Sequence, residues 1–148
     1  MKAFLHAYDH VNLGDDLFIR TITSRYPAVR FYMFSTAENK KIFADIPNLK
    51  VIDKDAKKFE RMKKLRPSLI ARYQDKLKLK CDAVIYIGGS IFMEYPTWEN
   101  IVNWWRFQSE RYPFYVIGAN FGPYQTEEYK EQMKKQFAGL KDICFRDR

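Results

Sequence analysis

The five residues Ala83-Val84-Ile85-Tyr86-Ile87 are all apolar in character, follow Asp82, and end at once in Gly88-Gly89. A strand without a polar face needs cover on both sides, which antiparallel hairpins with one wet face do not give and parallel sheets do. The run predicts a strand at the centre of a sheet. Its surroundings repeat one pattern, in which short stretches rich in aromatic and β-branched residues alternate with segments of helical spacing. The stretches are Lys2 to Tyr8, Val29 to Phe34, Leu49 to Ile52, Phe114 to Ile117 and Asp142 to Phe145. Between them, Leu17, Ile19, Ile22 and Tyr26 recur at helical steps, Ala37 to Ile46 suits a short helix, and Thr97 to Arg111 carries Ile101, Val102 and Trp105 on one side. Phe59, Met62 and Leu65, then Leu69, Ile70, Tyr73 and Leu77, form two apolar sets separated by Pro67, which suits a helix start and breaks an interior. Thr126 ahead of Glu127-Glu128 is a capping residue followed by acids that favour a helix N-terminus. The expected fold is α/β: a Rossmann-like, doubly wound, mostly parallel sheet of about six strands with helices on both faces. At 148 residues it forms a single domain, 1–148.

The longest apolar run falls far short of the roughly 20 residues that cross a bilayer, and the N-terminus lacks a signal peptide's apolar region, so a cytoplasmic protein is expected. Cys81 and Cys144 are far apart and form no C-x-x-C pair, and the histidines are His6 and His10 alone. Neither a zinc site nor a disulfide framework is suggested, and both thiols are expected in the core. The formal net charge of +8 is local: residues 54 to 80 hold eleven Lys or Arg against three Asp or Glu, leaving fifteen against fifteen elsewhere. That segment has three readings, a solvated helix face, a patch for an anionic membrane leaflet, or a nucleic-acid surface. No nucleic-acid motif accompanies it, so a nucleic-acid partner is not expected.

In a doubly wound sheet, ligands bind beyond the carboxyl ends of the strands. Three such ends carry unusual sequences: Asn12-Leu13-Gly14-Asp15-Asp16, Gly88-Gly89-Ser90, and Gly118-Ala119-Asn120-Phe121-Gly122-Pro123-Tyr124. Glycine lets backbone turn tightly or approach a ligand, and amides ahead of a helix can hold a phosphate or carboxylate. Each glycine also serves a plain strand-to-helix turn equally well. No G-x-G-x-x-G follows the first strand and no G-x-x-x-x-G-K-[ST] occurs, so the usual dinucleotide and P-loop signatures are missing. Asp15 is either a base or a helix cap. His10 suits proton transfer near neutrality, His6 falls within the first strand, and Glu94 is a further acid candidate close after Gly89-Ser90. Asn120 and Tyr124 can bind sugar hydroxyls, and Phe121 and Trp98 can stack on a sugar face, although most of the aromatic 17% of the chain must simply be core.

Asn12-x-Gly14-Asp15, Ile87-Gly88-Gly89-Ser90-Ile91-Phe92, Gly118-Ala119-Asn120-Phe121-Gly122-Pro123 and Cys144-Phe145-Arg146-Asp147 resemble, in this order and approximate spacing, the polysaccharide pyruvyl transferase family. That resemblance implies two Rossmann-type halves facing a cleft, as in GT-B glycosyltransferases, with this chain as the N-terminal half and inactive alone. It implies transfer of pyruvate from phosphoenolpyruvate to a sugar of a cell-surface polysaccharide precursor, free or lipid-linked, as a ketal and without a cofactor. Catalytic roles fall on Asp15 and Arg146, the latter gripping carboxylate or phosphate through paired hydrogen bonds. Substrate binding falls on Asn12, Gly14, Gly88, Gly89, Ser90, Asn120, Phe121 and Gly122. The alternatives are another GT-B-like glycosyltransferase using a nucleotide sugar, or a non-catalytic binding domain of the same superfamily.

Overall fold

The computed structural model describes residues 1–7 and 13–146. Among these described residues six strands and six helices follow one another. β1 (Lys2–His6), α1 (Leu13–Arg25), β2 (Arg30–Ser35), α2 (Ala37–Ile42) and β3 (Leu49–Asp53) make up the first half. After the paired helices α3 (Lys57–Leu65) and α4 (Ser68–Lys78) come β4 (Ala83–Ile87), α5 (Trp98–Arg111), β5 (Phe114–Ala119), α6 (Glu127–Ala138) and β6 (Asp142–Phe145). All strand pairs are parallel, in the order β3-β2-β1-β4-β5-β6. The chain winds outward twice from the centre, and β1 and β4 meet where its direction reverses.

Side-chain alternation along the strands feeds two cores. On one face Ala3, Leu5, Phe31, Met33 and Ala83 pack against Ile19 and Ile22 of α1 and against Phe43. On the other, Phe4, Val84, Phe114 and Val116 pack against Val102 and Trp105 of α5 and Tyr129 and Met133 of α6. α4 crosses that second face over β1, with the Lys78 Nζ 5.6 Å from the Phe4 ring centre. Two polar groups in this second core are paired: Lys78 is buried and donates to Gln108 Oε1 at 2.8 Å, and the Tyr112 hydroxyl donates to Asp75 at 2.8 Å. A buried ammonium without such a partner would cost several kcal/mol; even so, burial pulls Lys78 down to about 8.

β4 sits beside β1 near the middle of the sheet, but its cover is unequal. Ala83, Val84 and Ile87 are buried, whereas Ile85 is only half-buried. The reason is topological: α1 and α2 cover the β1 to β3 side of their face, so Ile85, Tyr115, Ile117 and Cys144 line an apolar groove of about 500 Å³. Cys144 is therefore exposed rather than a core thiol, and Cys81 is half-buried. Among the described residues no helix is long and apolar enough to cross a membrane.

Candidate functional site

From β1 the chain turns into α1 on one face, and from β4 it proceeds to α5 on the other. The diverging connections open a crevice between the carboxyl ends of these neighbouring strands, the place where a doubly wound sheet binds ligands. A cavity of about 390 Å³ lies there, lined by Gly14, Asp15 and Phe18 of α1, Tyr86 to Ile91 along the end of β4 and its turn, and Arg146 just beyond β6.

Two adjacent glycines form its floor. A methyl group placed at Gly88 would lie 3.9 Å from Asp15 Oδ1, and one at Gly89 would lie 3.3 Å from Arg146 Nη1. A carboxylate thus stands next to the first residue of this bare dipeptide and a guanidinium next to the second. Arg146 reaches it because its backbone N–H donates to the Ala119 carbonyl at 2.9 Å, continuing the pairing of β6 with β5. Asp15 reaches it because the first turn of α1 carries Asp15 to the crevice. Burial, and then the charge of Asp16, push the Asp15 carboxyl above its usual value of 3.8. Arg146 is the one cation among the described lining residues, so the cavity offers an anion a positive side chain beside the half-buried Gly89 and the exposed Ser90, while the buried Gly88 N–H donates to the Ile117 carbonyl at 3.4 Å.

The loop after β5 is laced to the loop after β4 rather than open to the cavity. The Asn120 N–H donates to the Gly89 carbonyl at 2.7 Å, the Gly122 N–H donates to the Phe92 carbonyl at 2.8 Å, and Phe92 and Phe121 form a parallel bridge. Phe121 stacks with Tyr124 at 5.2 Å and Tyr129 at 6.1 Å and meets Phe137 edge-on, while Trp98 meets Tyr129 edge-on at 5.6 Å. These rings are engaged in packing.

Glu94 has a structural partner as well. Its carboxylate accepts from the Gln125 N–H, from the Thr126 N–H at 2.8 Å and from the Thr126 hydroxyl at 2.6 Å. The hydroxyl bond, foremost, holds Glu94 below the usual carboxylate range. Thr126 in turn accepts from the Tyr129 N–H at 3.2 Å and caps α6. His6 ends β1 against Phe4, Tyr86 and Trp104, and its Nε2 has no hydrogen-bond partner among the described residues. Burial, with Lys78 nearby, lowers it to about 3, so the imidazole stays neutral throughout the physiological range.

Of the residues singled out from the sequence, Gly14, Asp15, Gly88, Gly89, Ser90 and Arg146 line one cavity, and Asn120, Phe121 and Gly122 lie beside it in the supporting loop. Asn12, His10 and Asp147 lie outside the described residues. Phe18, Tyr86, Ile87 and Ile91 complete the lining; Phe18 follows the helical core step of α1 and Tyr86 sits inside an apolar strand, so neither carried a signal separating it from core. Among the described residues no group of three or more His, Cys, Asp or Glu is placed to hold a metal ion.

The family model for polysaccharide pyruvyl transferase matches residues 12–148, which includes every lining residue of this cavity. A search of curated proteins finds no match.

Proposed function

Because the chain belongs to the polysaccharide pyruvyl transferase family, we propose that the cavity binds phosphoenolpyruvate and that the protein transfers its three-carbon unit to two hydroxyls of a saccharide as a cyclic ketal. The observation that supports this reading is the approach of Asp15 and Arg146 to Gly88-Gly89 in one cavity. Arg146 grips the carboxylate or phosphate of the donor, and the peptide N–H groups of Gly89 and Ser90 take the remaining anionic oxygens.

The reaction balances as follows. The methylene carbon gains one proton and becomes a methyl group, the two hydroxyl oxygens form bonds to the central carbon as each loses its proton, and the carbon–oxygen bond to phosphate breaks. Two hydroxyl protons are thus divided between the methyl group and the departing hydrogen phosphate. Asp15 is the proton carrier on the acceptor side: a carboxylate with a raised pKa is a better base than an ordinary one and releases its proton less readily to water.

The cavity faces outward beyond the strand ends, and we read it as one wall of a cleft whose opposite wall belongs to a second α/β half. The acceptor is a saccharide of a polysaccharide precursor, and a lipid-linked one brings the basic residues 54–80 towards an anionic membrane. Protein isolated from its native source should then have a mass well above 17.8 kDa; a species of 17.8 kDa would remove the second half.

The direct test is calorimetric titration of the protein as isolated from its native source with phosphoenolpyruvate, followed by phosphate release in the presence of saccharide acceptors. Binding of phosphoenolpyruvate is expected, with phosphate release dependent on acceptor and lowered about 10²- to 10⁴-fold in Asp15→Asn. Binding of a nucleoside diphosphate in place of phosphoenolpyruvate would replace this reading with that of a glycosyltransferase.

A further inference from the structure

The basic residues between 54 and 80 do not form one uniform solvated face. Lys78 is turned inward to Gln108, and the Lys58 Nζ lies over the rings of Phe59 at 4.6 Å and Tyr73 at 5.7 Å. Helical geometry places Lys57, Arg61 and Lys64 on the side of α3 opposite Phe59, the residue that anchors it, and Arg72 and Lys76 on the outer side of α4. All five are exposed. Two of the segment's acids are engaged: Glu60 pairs with Lys63 at 2.8 Å, and Asp75 accepts from the Tyr112 hydroxyl at 2.8 Å.

The joint between the two helices holds the second observation. Leu65, between Lys64 and Arg66, is 79% exposed, the most exposed large apolar side chain of the described protein. Its position along the sheet follows from two contacts of α4. Tyr73 meets Phe34, near the carboxyl end of β2, with ring centres 6.3 Å apart, and Lys78 lies over Phe4 at the middle of β1. α4 therefore runs against the strand direction, and the five residues from Tyr73 back to Ser68 add about 7 Å. That rise carries the joint past the carboxyl ends of the strands, the same end at which Gly88-Gly89 and Arg146 lie.

We propose that the α3–α4 arm is a membrane-docking element, whose outer cations bind the headgroups of an anionic lipid surface while Leu65 enters the interface. A leucine standing among cations adds nothing to a phosphate backbone but suits the boundary between headgroups and acyl chains. The arm's aromatic rings, Phe59 and Tyr73, face Phe34 instead of solvent and offer no platform for nucleic-acid bases. Docking in this way turns the candidate cavity towards the membrane. The inference deepens the proposed function and rests on it only for the acceptor that membrane would carry.

The test is flotation of the full chain with vesicles of phosphatidylcholine alone and of a roughly 2:1 mixture with phosphatidylglycerol, from about 50 to 300 mM salt, with no substrate present. Binding to the mixed vesicles alone is expected, falling as salt rises, by about five-fold for each cation removed in Arg61→Gln and Lys64→Gln. Leu65→Ser should weaken it a further few-fold. These side chains are exposed, so thermal melts should coincide with the parent's. Equal binding to neutral vesicles, equal binding by the triple variant, or tighter binding to duplex DNA or single-stranded RNA in the same buffer would each overturn the proposal. Phosphoenolpyruvate titration of the same variants separates the two readings, because its failure bears on the transferase chemistry and vesicle flotation bears on the arm.

Discussion

At Gly118, where β5 ends, a methyl group would lie 2.7 Å from two ring carbons of Phe18, and the backbone φ is +77°. At Gly89, in the turn after β4, the nearest atom to such a methyl group is Arg146 Nη1 at 3.3 Å. The two loops read alike in the sequence, yet their glycines answer to different constraints. Gly118 is the extra residue of an irregularity in the pairing of β5 with β6, which returns Ala119 to the face that buries Phe114 and Val116. Its left-handed backbone and its contact with α1 belong to the fold. Gly89 keeps space free beneath a cation. A glycine signal thus marks where backbone is close to something, and only the neighbour reveals whether that closeness serves stability or binding.

The largest expected effect tests the first half of this comparison. Gly118→Val combines the left-handed penalty of about 1–2 kcal/mol with overpacking of about 1–3 kcal/mol, so denaturant unfolding should show a loss of about 2–5 kcal/mol. Adding Phe18→Leu to Gly118→Ala should restore the steric part and leave about 1 kcal/mol, whereas no recovery in the double variant would place the strain elsewhere.

Next comes the cation above Gly89. Arg146→Ala should weaken phosphoenolpyruvate binding about 10- to 100-fold, the loss of charge-assisted hydrogen bonds worth about 1.5–3 kcal/mol, while stability changes by less than about 0.5 kcal/mol. Arg146→Lys should recover only part of the affinity, because an ammonium lacks the paired geometry. An unchanged dissociation constant in Arg146→Ala would show that the guanidinium does not meet the donor. Gly89→Ala is the milder version: the arginine tip can yield a few tenths of an ångström, so affinity should fall about three- to ten-fold with a stability cost below about 1 kcal/mol.

Local pattern carried most of the architecture. The unbroken run of β4, the proline between α3 and α4, the Thr126 cap and the short β6 all sit where the sequence places them, because each depends on residues within one turn or one strand. The contacts that were not legible join distant parts of the chain. Lys78 reads as one more surface cation until Gln108, thirty residues on, gives it a partner. Glu94 reads as a free acid until α6, thirty-two residues on, offers its N-terminus. Cys144 reads as a core thiol, but β6 is an edge strand and no described helix covers its side of the groove. The cavity was legible in place, since the strand order fixes the crevice between β1 and β4. Its membership was not, because Gly88 and Gly122 carry the same signal and only one of them faces the crevice.

The smallest effect probes the carboxylate of the cavity and the sign of its contribution. Asp15 has a folded pKa above its unfolded value of 3.8, chiefly through burial and then through Asp16. The folded protein therefore holds that proton more tightly than the unfolded chain does. The resulting stabilisation is complete below pH 3.8 and is lost as pH rises through the folded pKa. At neutral pH the ionised carboxylate is a net cost, screened by solvent at a half-buried site to less than about 1 kcal/mol. Asp15→Asn should remove that cost. Urea melts of the two proteins should coincide near pH 3.5–4 and diverge upward, with the asparagine variant the more stable at pH 7, while its turnover falls. A parent that is the more stable at pH 7 would mean that Asp15 caps α1 or pairs within the fold, and the start of α1 would then resemble the loop after β5 in serving structure first.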